Sequence, residues 1–531
     1  MTPLEVLQRY PPHDYTLYGA LASRARSVPE HVFIEFRDRK LSYAQTLAYV
    51  HETTALLASY GVKSGDRIAV MSQNHPATVA VLVALASLGA IMVGVNPDFG
   101  EKEARYVLEH SGASGILCSP AALPTVQAVA ATLPARPWIV TNEPNGAGVP
   151  VLGGPHPDGA RGAPAAAGRA DDVCLIIYTS GTTGFPKGVM HSQRSIVLAG
   201  EGFVRRMHLQ PEERVLCILP MFHVNAIFYS LMGTIAAGAT LLLEEKFSAS
   251  NFWKTAAARR ATEVNTIAAV MNILMRRPRE EFAPGHTLRK IYGAPFSAEM
   301  YRVFEAEFGV PDLIEGYGMS EIPGALNNPF DGERRKGSMG KPSLHPDPAV
   351  SLADVKIVDD DFNEVPVGTI GEILVRTPTI MKGYYRDPEA TAAAFRDGYF
   401  LTGDLASMDS DGYAWFVARK KDIIRRRGEN ISGAEIDRIA GDHPEVVEAA
   451  AIGVPAELGE DEVLLAVVRK PGSTLTEHEL GEWCRERLAA FKVPRYVLFV
   501  DRLPRTPTHR VAKFELRKDS TLKARAVDLS R

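Results

Sequence analysis

Apolar residues in this chain come in short runs separated by glycine, proline and charged residues. The run 66–71 is rich in β-branched and long apolar residues and predicts a strand. Residues 75–88 are rich in Ala and Val and predict a buried helix, which Gly89 ends; residues 91–95 then predict a second strand, closed by Asn96 and Pro97. Strand, helix, strand is the rhythm of a parallel sheet. The uncharged stretch 77–95 is long enough on paper to cross a bilayer, but Gly89 divides it into two pieces, neither of which spans about 30 Å of hydrocarbon. No membrane span is expected. Further strands are predicted at 173–178, at 214–219, at 289–293 before a Gly293-Ala294-Pro295 turn, and at 413–418 behind an Asp411-Gly412 turn. Residues 145–170 shift to Gly, Pro and Ala and predict an exposed loop without chemistry.

The strand 173–178 runs into the string Tyr178, Thr179, Ser180, Gly181, Thr182, Thr183, Gly184, Phe185, Pro186, Lys187, Gly188, Val189. Gly181, Gly184 and Gly188 let a backbone approach an anion, the Ser180, Thr182 and Thr183 hydroxyls can donate to it, and Lys187 adds a mobile positive charge. The pattern reads as a polyphosphate cradle. It is not a Walker loop, because Pro186 precedes the lysine and Gly188 follows it.

At 531 residues the chain exceeds what one core supports, so two or more domains are expected. Its 59 basic and 63 acidic residues are interspersed, which argues against a nucleic-acid partner and against an anionic membrane surface. Cys118, Cys174, Cys217 and Cys484 lack metal-ligand spacing and suit a reducing compartment. The first residues have neither a basic start nor an apolar core, so no signal peptide is expected and the cytoplasm is the expected location.

Other candidates follow along the chain. His223 sits just past the strand 214–219, where α/β enzymes place ligand-facing groups. In the string Glu315, Gly316, Tyr317, Gly318, Met319, Ser320, Glu321, the Tyr317 ring can stack on an adenine and the glycines admit backbone contact with its edge. Glu321 offers a carboxylate to a phosphate-bound magnesium ion. Asp404, after a strand, can accept from two ribose hydroxyls, with Arg419 as a fixed guanidinium nearby. Residues 418–428 are the most charged run in the chain, and such runs are usually solvated.

Taken in order, these strings resemble the adenylate-forming superfamily of acyl- and aryl-CoA synthetases, luciferases and peptide-synthetase adenylation domains. The likeness runs from about Phe33 to Arg517, and the strings at 222–226 and 422–431 look most like bacterial acyl-CoA ligases of the carnitine/crotonobetaine-CoA ligase type. The resemblance implies an α/β fold: a large N-terminal domain (1–420) of mixed and parallel sheets flanked by helices, plus a small mobile C-terminal α+β domain (421–531) with Lys421 at the hinge. It implies ATP-dependent adenylation of a small or medium organic acid with pyrophosphate release, then thioester formation with coenzyme A. The nucleotide would be held by Thr179, Ser180, Gly181, Thr182, Thr183, Gly184, Gly293, Ala294, Pro295, the string 315–320, Asp404 and Arg419. Magnesium would sit on Glu321 and Thr182, and Phe222, His223 and Asn225 would line the acid pocket, with His223 also counted among the catalytic residues.

The chain departs from the family near its end, where His509-Arg510 stands in place of the usual Gly-Lys. Arg510 or Lys513 must then supply the closing cation, and Arg510 is favoured although Arg and Lys are not equivalent. Gly433 stands where Pro is common. These departures keep two alternatives open: an adenylating enzyme with a non-CoA acceptor, such as a diazotase-like enzyme activating nitrite for an aryl amine, and a non-catalytic nucleotide-binding relative. A homodimer is also left open.

Overall fold

The computed structural model describes residues 1–153, 167–179, 186–426, 429–456, 460–505 and 511–530. Its packing divides the chain into two units. The larger comprises Met1–Thr179, Pro186–Val355 and Val375–Phe400; the smaller takes Lys356–Leu374 and the described residues from Leu401 onward.

Two sheets dominate the larger unit. One has seven strands in the order Gly383–Tyr384, Lys187–Ser192, Val173–Thr179, Ile91–Val95, Arg67–Met71, Gly115–Cys118, Trp138–Thr141. Its last five strands run parallel, and Lys187–Ser192 and Gly383–Tyr384 add an antiparallel edge. The other sheet has nine strands, with a parallel centre of Asp312–Tyr317, Lys290–Gly293, Glu263–Asn265, Arg214–Cys217, Thr240–Leu243 and Val32–Phe36. Parallel strands need crossovers, and helices supply them on both faces.

The stretch 77–95 resolves into the helix Pro76–Ser87 and the strand Ile91–Val95. Pro76 occupies the first helical position, and His75 caps the helix by accepting the Ala77 N–H at 3.1 Å. Every residue of this helix is buried, as expected of a helix apolar on all sides. Among the described residues no helix is long and apolar enough to cross a membrane.

The smaller unit contains a four-stranded sheet in the order Val446–Pro455, Asp461–Arg469, Tyr496–Phe499, Val527–Asp528. Its residues sort by the period of two. Ala449, Ala451, Val463, Leu465 and Val497 pack with Ile436, Leu480 and Cys484 on one face; Ala450, Ile452, Leu464, Ala466 and Leu498 pack with Leu503, Leu516 and Leu522 on the other. Both faces are thereby covered, and the alternation of short helices and strands is an α+β arrangement. The charged run is less solvated than its composition implies. Arg426 is buried, bonded to the carbonyls of Phe491 and Val493 at 2.9 Å and paired with Glu462 at 2.6 Å.

Candidate active site

The strand Val173–Thr179 and its neighbour Lys187–Ser192 pair antiparallel, with Thr179 opposite Lys187. Lys187 therefore stands at the start of a strand. Ser180, Gly181, Thr182, Thr183 and Gly184, between the two, lie outside the described residues. The Lys187 ammonium lies 4.8 Å from the centre of the Tyr384 ring and 4.0 Å from an Asp387 carboxylate oxygen. The same Tyr384 donates its hydroxyl to Oε1 of Glu321 at 2.9 Å. One tyrosine thus touches the two charged groups that the sequence put forward for phosphate and for magnesium.

The backbone around Glu321 is fastened from two sides. His191 is fully buried, and its Nε2–H donates to the Ser320 carbonyl at 2.7 Å. Burial holds this imidazole down to about 4, so it is neutral and able to donate. On the other side the Met381 N–H donates to the Glu321 carbonyl at 2.8 Å. Among the described residues, Oε2 of Glu321 meets no hydrogen-bond donor. A carboxylate with one oxygen fixed and one open fits a hard cation.

Gly293 and Glu315 are paired in adjacent parallel strands, Lys290–Gly293 and Asp312–Tyr317, whose carboxyl ends lead into Ala294-Pro295 and into Gly318 to Ser320 at the same edge of the nine-stranded sheet. Tyr317 is half-buried, Gly318 exposed and Met319 half-buried. Glu315 is different. Both faces of its strand are covered, and its carboxyl turns inward, accepting the Phe296 N–H and the Tyr301 hydroxyl at 3.0 Å and the Gly337 N–H at 3.2 Å. Burial pushes it up to about 7, against the pull of these three donors. Its side chain braces the two loops, which is a structural task.

Past the strand Arg214–Cys217, the loop carrying Phe222 and His223 is held by Asn74. That amide donates to the Leu219 and Glu244 carbonyls at 3.0 Å and accepts the Met221 N–H at 2.7 Å. Phe222 comes down on Gly94, where a Cβ would lie 3.0 Å from the Phe222 Cβ, so any side chain there would press on Phe222. The Phe222 and His223 rings are 4.4 Å apart. Asn225 then opens a π-helical segment, Asn225–Leu231, a form that recurs at functional sites. Its side-chain oxygen is buried without a donor among the described residues.

In the smaller unit Asp404 and Arg419 are backbone partners across a hairpin, with the Arg419 Nε 3.1 Å from Oδ1 of Asp404. Asp404 is buried and its N–H donates to the Thr402 hydroxyl at 3.0 Å. Lys421 is exposed in the single turn Lys420–Asp422. The Lys513 ammonium sits 2.5 Å from Asp437. Arg510 lies outside the described residues. Tyr384, Asp387 and His191 escaped the sequence reading, since nothing in their spacing marks them as neighbours of Glu321 or Lys187.

Loops leaving the carboxyl ends of parallel strands, with a cation and a carboxylate brought to one side chain, are the equipment of an α/β enzyme that handles phosphate. The chain belongs to the AMP-binding enzyme family, which it matches over residues 21–385, and residues 435–510 match the AMP-binding enzyme C-terminal domain. It is 31% identical to the sulfoacetate–CoA ligase of Cupriavidus necator, over 94% of this chain and 97% of that one. To the crotonobetaine/carnitine–CoA ligase of Citrobacter koseri it is 31% identical, over 90% and 93%. The crystal structure of ATP-bound MatB from Rhodopseudomonas palustris superposes with a TM-score of 0.83 at 29% identity, covering 95% of this chain and 98% of that one.

Proposed function

We propose that the protein is an AMP-forming acid–CoA ligase. The observation that carries this reading is the meeting of Lys187 and Glu321 on Tyr384, in a chain whose relatives are named as CoA ligases. A carboxylate is a poor acyl donor because oxide would have to leave. Attack of its oxygen on the α-phosphorus of ATP forms a mixed anhydride and breaks the bond to the β-phosphate, so pyrophosphate departs with its charge. The coenzyme A thiol then attacks the acyl carbon, gives up its proton to solvent and displaces AMP.

The chain supplies alignment and charge, not a nucleophile. We assign Lys187 and Arg510 to the phosphates, Asp404 and Arg419 to ribose and its neighbouring phosphate, and Tyr317 with the Gly293-Ala294-Pro295 turn to the adenine. Arg510 is preferred over Lys513 because the Lys513 ammonium is engaged by Asp437. Magnesium on Glu321 and Thr182 would neutralise phosphate charge; that Oε2 of Glu321 meets no donor among the described residues supports that place for it. Phe222, His223 and Asn225 form the wall of the acid pocket, where the unfilled Asn225 oxygen suits a substrate that brings a hydrogen-bond donor. Lys421 serves as hinge between the two half-reactions. Four buried, unpaired cysteines support a reducing location, the cytoplasm.

Neither alternative gains an observation. The relatives described above act with CoA by name, which does not favour a nitrite-activating reading, and the retention of Lys187 and Glu321 does not favour a non-catalytic one. The deciding experiment is a pyrophosphate-release screen over organic acids and nitrite, with and without CoA and aryl amines. We expect acid-dependent pyrophosphate release and CoA-dependent release of AMP. Turnover with nitrite and an aryl amine alone would replace this reading.

A further inference from the structure

The segment that carries Tyr384 is half-buried at the sheet edge and firmly built. Tyr384 pairs with Val189 across the antiparallel edge, and the next residue, Tyr385, donates its N–H to the Gly188 carbonyl at 2.7 Å. The Tyr384 N–H donates to the Thr391 hydroxyl at 2.9 Å, which itself donates to the Asp387 carbonyl at 2.8 Å. Asp387 caps the helix Pro388–Ala393 by accepting the Ala390 N–H at 2.9 Å. Two further anchors reach the helix Glu101–Ser111: the Tyr385 hydroxyl donates to the Ser111 carbonyl at 3.2 Å, and Arg386 donates to the His110 carbonyl at 2.9 Å. The Tyr384 side chain therefore starts from a backbone with little freedom.

From that backbone it makes two contacts of different kinds. Its hydroxyl fixes Oε1 of Glu321 at 2.9 Å, and its ring face lies 4.8 Å from the Lys187 ammonium. Asp387, 4.0 Å from the Lys187 ammonium, adds a counter-charge.

We propose that Tyr384 is a positioning residue for adenylation, aiming the Glu321 carboxylate with its hydroxyl and seating the Lys187 ammonium on its ring. The hydroxyl leaves Glu321 one oxygen for the cation and prevents the carboxylate from turning to Lys187. The ring holds Lys187 by a cation–π contact that can be surrendered to a phosphate, whereas a salt bridge to Glu321 would compete with it. This inference rests on the assignment of Glu321 to the metal and of Lys187 to phosphate.

The test uses the full chain with Tyr384→Phe, Tyr384→Leu and, as reference, Glu321→Gln. Cation binding is read without turnover, from the electron paramagnetic resonance of free Mn2+ in the presence of a non-hydrolysable ATP analogue. Tyr384→Phe is expected to weaken Mn2+ binding about five- to tenfold and to leave KM for the acid unchanged. Tyr384→Leu, which also removes the ring, is expected to raise KM for ATP as well, about tenfold over Tyr384→Phe. If Glu321→Gln weakens Mn2+ binding while Tyr384→Phe binds it like the wild type, Tyr384 only packs and the inference fails. If Glu321→Gln itself binds Mn2+ normally, the metal assignment falls, and the inference with it.

Discussion

Two buried titratable groups on either side of the site pull stability in opposite directions with pH. His191 is ordinarily 6.5 and is held at about 4 in the fold. The folded chain then binds fewer protons than the unfolded one between those values, so its stabilising share is present above pH 6.5 and is lost as the pH falls toward 4. Glu315 is ordinarily 4.5 and is raised to about 7, so its share is present below pH 4.5 and is lost as the pH rises through 7. Each shift corresponds to about 3 kcal/mol at its limit. Denaturant midpoints of wild type, His191→Gln and Glu315→Gln across pH 4 to 8 check this. The wild type should gain on His191→Gln from pH 4 to 6.5 and lose ground to Glu315→Gln from pH 4.5 to 7; two flat differences would refute both assignments. Neither role was legible in the sequence. His191 is 129 residues from the carbonyl it holds, and Glu315 sits in a motif that reads as ligand-facing while its carboxyl faces the protein. Residue type put Lys187, Glu321 and Asp404 forward, because such groups suit phosphate, magnesium and ribose. The residue that touches two of them, Tyr384, reaches Glu321 across 63 residues, a contact that no local pattern carries.

Elements were more readable than contacts. The helix Pro76–Ser87 and the strand Ile91–Val95 follow from an apolar run broken by Gly89, whose φ of 72° only glycine adopts freely. The strand expected at 214–219 stops at Cys217, since Leu219 and Met221 spend their backbone groups on Asn74 instead of a neighbouring strand. That arrangement sets the loop carrying Phe222 and His223 against a different sheet through Gly94, and it yields a prediction at this scale. Gly94→Val places a branched side chain against Phe222, where the first added carbon is already at 3.0 Å. Overpacking of this kind costs about 1–3 kcal/mol. It should displace Phe222 and His223, raising KM for the acid by about tenfold or more while KM for ATP changes little. Equal effects on both constants, in steady-state kinetics with each substrate varied, would show that the loop does not line the acid pocket.

At the scale of the whole molecule, family membership settles the chemistry more firmly than the substrate. Relatives of near-equal identity are named for sulfoacetate and for crotonobetaine or carnitine, so the shared fold carries the activation step and the pocket wall selects the acid. The order of motifs along the chain made the superfamily legible, because five strings in sequence constrain far more than any one of them. The acid was not legible, since a pocket wall is assembled from residues on separate strands and helices whose shape no linear pattern encodes. The central claim is that a carboxylate oxygen attacks the α-phosphorus of ATP. The most direct measurement uses the acid that turns over in the screen, labelled with oxygen-18 in its carboxylate, with ATP and CoA, followed by mass spectrometry of the nucleotide product. The account predicts AMP carrying one labelled oxygen and a thioester retaining the other. Unlabelled AMP, or label appearing in inorganic phosphate, would contradict it.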